Sequence, residues 1–106
     1  MEDILNNLKD PWRRPDSENC SALEKELQKE LTKEHILFGL KAKCIARRGD
    51  NDDVLFMIDS DKFLYAVVHL TWASEFNSDF PVTEVFNDFN HWVTKGYEKD
   101  VAEYEA

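Results

Sequence analysis

A chain of 106 residues with 42% apolar composition has material for one ordinary core and is too apolar to be disordered. Its formal charge of −9 disfavours nucleic acid phosphates and anionic lipid as partners, and no apolar run is long enough to cross a bilayer. The opening MEDILNNLKD is acidic and lacks a long apolar stretch, so no secretory signal and a cytoplasmic location are expected, with Cys20 and Cys44 as free thiols rather than a disulfide.

Ile4, Leu5 and Leu8 stand at helical spacing behind Glu2 and Asp3, which predicts a short helix ended by Pro11. PWRRPDSEN, residues 11–19, is a turn-rich connector in which Trp12 is expected to anchor the chain on the body. Ser21-Ala-Leu-Glu24 has capping-box form, and Leu23, Leu27 and Leu31 recur every four residues, predicting a second helix. Its Lys25/Lys29/Lys33 and Glu26/Glu30/Glu34 columns read as a solvated face.

After His35 the pattern alternates: Leu40, Ala42, Cys44 and Ala46 against Lys41, Lys43, Ile45 and Arg47, as in a half-buried strand. Val54 to Asp59 forms a second strand, Ser60-Asp61-Lys62 a turn, and Phe63 to Trp72 a third, whose core face is Leu64, Ala66, Val68, Leu70 and Trp72. Short connections make these a three-stranded antiparallel meander from Leu40 to Trp72. Gly49-Asp50-Asn51-Asp52 is the first hairpin tip, where Arg47 and Arg48 are expected to offset the aspartates rather than bind phosphate. Beyond the loop ASEFNSDFP, the spacing of Val82, Val85, Phe86, Phe89, Trp92 and Val93 predicts a helix from about Thr83 to Lys95. Phe86, Phe89 and Val93 are expected to pack on Leu64, Ala66, Val68 and Leu70, Gly96 to stop the helix, and the tail YEKDVAEYEA to add a short terminal helix or fray. The fold class is α+β: N-terminal helices, a three-stranded meander and a C-terminal aromatic helix packed on the sheet, in a single domain over residues 1–106.

Motifs for chemistry are sparse. A calcium loop at GDNDD would need a glycine at its sixth position and a late bidentate Glu, which do not follow. No GxSxG, glycine-rich phosphate loop, HExxH or zinc spacing occurs, and no metal or cofactor is expected. His35, His69 and His91 are the available general bases, and a lone strand histidine such as His69 is the only handle for an enzymatic reading.

The stretches IARRGDNDDVLFMI and YAVVHLTW, with the helix, proline-led loop and aromatic helix around them, resemble a group of small bacterial proteins over about residues 27 to 95. Domains of this kind are similar to immunity proteins that protect a cell from its own contact-dependent growth inhibition toxin. The resemblance assigns no individual binding residue.

Charge asymmetry leads the same way. Residues 49–106 carry 13 acidic and 3 basic residues, whereas residues 1–48 carry 9 and 10. Nuclease toxins need basic clefts for polyanionic substrates, and an inhibitor filling such a cleft presents carboxylates in place of phosphates. The expected function is therefore neutralisation of a basic, ribonuclease-type toxin by occlusion of its active site, with an acidic adaptor module as the alternative and a small enzyme using His69 behind it. The expected surface is Asp50, Asp52 and Asp53 on the hairpin tip, with Trp72, Glu75, Phe76 and Asp79 after the third strand. Asp59 and Asp61 fall at the opposite end of the meander.

Overall fold

The computed structural model describes residues 2–73 and 79–106. Helix α1 (Glu2–Asn6) leads to a two-residue strand β1 (Trp12–Arg13), then to the 14-residue helix α2 (Ser17–Glu30). Asp16 starts α2: its side chain accepts the Asn19 N–H at 2.8 Å, satisfying one of the donors a helix start leaves open. The helix thus begins one turn before the Ser21–Glu24 box. Glu24 reaches across instead and accepts the Cys44 N–H at 2.8 Å.

Strands β2 (Ala42–Arg48), β3 (Asp53–Ile58), β4 (Tyr65–His69) and β5 (Val82–Phe86) complete a sheet of order β1-β2-β3-β4-β5 in which every pairing is antiparallel. The meander has five strands, not three. β1 was hidden because two residues of PWRRPDSEN show no alternation, yet Trp12 pairs with Arg48 and Arg13 with Arg47. β5 corrects the helix expected from Thr83: five residues with Val82, Val85 and Phe86 fit a helical stripe as well as a strand, and the open edge of β4 decides. The C-terminal helix starts later, as α3 (Phe89–Trp92), where Asp88 caps through a 2.8 Å bond from the His91 N–H. It widens into a π turn (Val93–Tyr97) and runs on as α4 (Glu98–Glu105), so Gly96 lies inside the helical run rather than ending it.

Both faces of the sheet are covered. On one, Leu23, Leu27 and Leu31 of α2 and its C-cap pack with Cys44, Val54, Phe56, Ile58, Ala66 and Val68. On the other, Trp12, Leu55, Tyr65 and Phe86 pack with Trp92, Val93, Tyr97 and Val101, and Ile4 and Leu8 join from the N-terminal segment. The C-terminal helices therefore meet the Tyr65 face of β4, while Ala66, Val68 and Leu70 face α2. This reverses the packing expected for Phe86, Phe89 and Val93, and Leu64 and Trp72 are exposed. A β-bulge between Cys44 and Ala46 explains a second departure: the extra residue flips the parity of β2, so Cys44 and Ala46 point into different cores.

Candidate partner-binding surface

Antiparallel pairing brings the first hairpin tip and the segment after β4 to one end of the sheet. Asp53 stands opposite His69, His69 opposite Val82, and the Leu70 N–H donates to the Asp52 carbonyl at 3.2 Å. Asp50, Asp52, Asp53, Trp72 and Asp79 accordingly lie on the same side of the molecule, whereas Glu75 and Phe76 fall outside the described residues. Phe80 and Val82 join them, and with Trp72 they are exposed large apolar side chains.

The tip is built by its own polar side chains. Asn51 Oδ1 accepts the Asp53 N–H at 2.8 Å, the local bond expected of an Asx turn. Arg48 donates two 2.9 Å bonds to Asp50 and lies 3.5 Å from Asp100 on α4. That hydrogen-bonded pair holds the Asp50 carboxyl below its usual range and raises the guanidinium. Asp53 pairs with His69 Nδ1 at 2.7 Å. Two of the tip's three carboxylates are thus already engaged within the chain, Asp50 by the Arg48 guanidinium and Asp53 by a hydrogen bond to the His69 ring.

The segment leaving β4 is held from below by α2. Glu30, 1% exposed, accepts the Thr71 N–H at 2.8 Å, the Thr71 hydroxyl at 3.0 Å and the Trp72 N–H at 2.9 Å. Trp72 has φ +55°, in the left-handed region that costs a bulky residue energy unless its surroundings hold it there. Burial alone would raise the Glu30 carboxyl, but hydrogen bonds from Glu26, Thr71 and Trp72 outweigh it and keep it below its ordinary value. Glu26, one turn earlier, bonds to Glu30 and is pushed up to about 7 by that bond, by burial and by repulsion from Glu30, against the opposing pull of Lys29.

The segment entering β5 has its own brace. The buried His35 ring accepts the Leu37 N–H on Nδ1 at 3.0 Å, which leaves Nε2 to carry the ring proton and donate to the Pro81 carbonyl at 2.9 Å. The Thr83 hydroxyl bonds the same carbonyl at 2.9 Å. Both stems of the loop between β4 and β5 are therefore tied to buried polar groups, Glu30 and His35. His91 serves a local role, with Nδ1 accepting the Asn87 N–H at 3.0 Å and its ring edge-on to Phe86.

Glu26 and Glu30 were missed in the sequence, and His35 was considered only as a general base. The Glu columns read as solvated, yet positions 23, 26, 27, 30 and 31 form one i, i+3, i+4 stripe, so two carboxylates on the apolar face of α2 were the available signal. Among the described residues, no group of three or more His, Cys, Asp or Glu side chains is arranged to hold a metal ion. Among the described residues, no helix is long and apolar enough to cross a membrane. At the opposite end, a groove of about 540 Å³ is lined by Ile36, Phe38 and Phe63 together with Asp59, Asp61 and Lys62. Compared with known proteins, the chain matches no family model, no curated protein and no solved structure.

Proposed function

We propose that the protein is a cytoplasmic immunity protein that binds a basic, nuclease-type toxin and blocks its active site with the surface formed by the β2–β3 tip and the segment after β4. One observation carries this reading: a half-exposed Trp72 is held in a left-handed backbone by a buried carboxylate, two residues beyond the Leu70 N–H that bonds the tip at Asp52. An exposed aromatic anchor whose backbone is held before binding loses less conformational freedom on association than one on a free loop, and tryptophan is enriched at the energetic centre of interfaces. Phe80 and Val82 extend the apolar centre, and Asp50, Asp52, Asp53 and Asp79 supply an acidic rim suited to a cationic partner.

The test is co-expression with the product of the adjacent upstream reading frame, followed by growth rescue and titration of the purified pair. A complex that Trp72→Ala weakens by about 30-fold or more, with the melting temperature unchanged, is the expected result. Equal affinity of wild type and variant removes the surface, and no complex with rescue absent removes the immunity reading.

A further inference from the structure

Cys20 and Cys44 approach each other from α2 and β2, with Sγ atoms 2.9 Å apart and both present as thiols. They sit in different environments. Cys44 is 5% exposed in the core between α2 and the sheet, whereas Cys20 is part-exposed in the first turn of α2, and both border a groove of about 380 Å³ into which Cys20 is the more open of the two. Arg14 and Lys43 line that groove with Ser17, Ser21 and Glu24. The bulge that turns Cys44 toward α2 and the Glu24 bond to its N–H hold the pair in register.

We infer that Cys20 and Cys44 form a thiol–disulfide exchange site that takes small, anionic low-molecular-weight disulfides and closes to an internal α2–β2 disulfide. The groove beside Cys20 admits a small reagent, and Arg14 and Lys43 suit one carrying carboxylates. Burial raises the Cys44 thiol above its ordinary range, so the first attack belongs to Cys20. Cys20 Sγ, as thiolate, attacks one sulfur of the reagent; its S–S bond breaks and one small thiolate leaves. Cys44 Sγ then gives up its proton to that thiolate and attacks Cys20 Sγ, expelling the second small thiolate. Two protein sulfurs lose two electrons in all, and the two reagent sulfurs gain them.

Oxidised glutathione is the probe. The full-length reduced protein is incubated with it, thiols are trapped by alkylation, and intact mass is read. The expected product has lost two hydrogens and takes up no alkylating group, and its melting temperature is higher than that of the reduced form because the unfolded chain is cross-linked. Cys44→Ser should stop at a mixed disulfide on Cys20, and Cys20→Ser should remain unmodified while folded. Two alkylated thiols at every glutathione ratio, a stable mixed disulfide in the wild type, or a disulfide-linked dimer would each overturn the inference. The wild-type mass measurement decides even where a variant fails to fold.

Discussion

Glu30 and Trp72 are 42 positions apart in sequence and joined by a 2.9 Å hydrogen bond from the tryptophan backbone to a carboxylate that is almost wholly buried. Glu30→Gln keeps the shape but offers one acceptor oxygen and sets an amide NH2 against an N–H that expects an acceptor. A loss of about 2–4 kcal/mol is expected, since a buried donor is left without its partner. Amide hydrogen exchange at Thr71 and Trp72 should accelerate more than in β3, and uniform acceleration across the chain would show that Glu30 supports the core rather than this segment.

The Glu26–Glu30 pair sets a pH dependence with a definite sign. The folded state keeps a proton on Glu26 up to about pH 7, and the unfolded chain only to 4.5. Its contribution is fully present below that lower value and is lost as pH rises through the upper one. Glu30 acts oppositely, because its folded value is depressed and its contribution disappears in acid. Melting temperature should therefore peak at about pH 5 and fall by about 3–8 °C toward pH 8. Glu26→Gln carries a permanent N–H donor toward Glu30 and should flatten the alkaline limb. A variant that keeps the wild-type slope would assign the slope to other groups.

Gly96→Ala ought to have the reverse of its usual sign. In an open helix the change stabilises by about 0.5–1 kcal/mol. Here an added methyl would lie 3.0 Å from Trp92 Cδ1 and 3.3 Å from Phe86 Cζ. Trp92 cannot retreat, being packed edge-on against Trp12 and tilted against Phe89 and Tyr97. Thermal unfolding should show a loss of about 1–3 kcal/mol, and any gain in stability would mean that this core yields.

Charge at the proposed surface is separable from charge elsewhere. Changing Asp50, Asp52, Asp53, Glu75 and Asp79 together to Asn or Gln should slow association with a basic partner about 10-fold or more at low salt, with a smaller effect at physiological salt. Asp59→Asn with Asp61→Asn, at the far end of the sheet, should leave the rate nearly unchanged. Equal rates in the two variants would place the partner elsewhere. Arg48→Ala is a useful companion, because releasing Asp50 and Asp100 makes the tip more negative while removing an internal tie.

The α2 stripe was legible from its helical period, β2 and β4 from alternation, and β3 from a short β-branched and apolar run between turn residues. β5 was not, since five residues satisfy two periods at once and only the pairing with β4 separates them. β1 was too short to show a period, and Ala46 was assigned to the wrong face because a bulge leaves no mark in an Ala-Lys-Cys-Ile-Ala alternation. The acidic tip could be placed from the sequence, but its braces could not. A buried Glu and a solvated Glu look alike until the partner backbone, here Thr71 and Trp72, is known.

The π turn acts as a phase adjuster. By fitting an additional residue into one turn of helix, it rotates everything after it by about 100° relative to a continuous α-helix. That rotation puts the Tyr97 hydroxyl where it accepts the Lys9 N–H at 2.9 Å, and Asp100 where it takes both the Trp12 indole N–H at 3.0 Å and the Arg48 guanidinium. Removing a single residue between Val93 and Gly96 would leave α4 helical but out of step, with Asp100 turned from Trp12 and Arg48, so the segments nearest the two termini would lose their clasp while the sheet between them stayed paired.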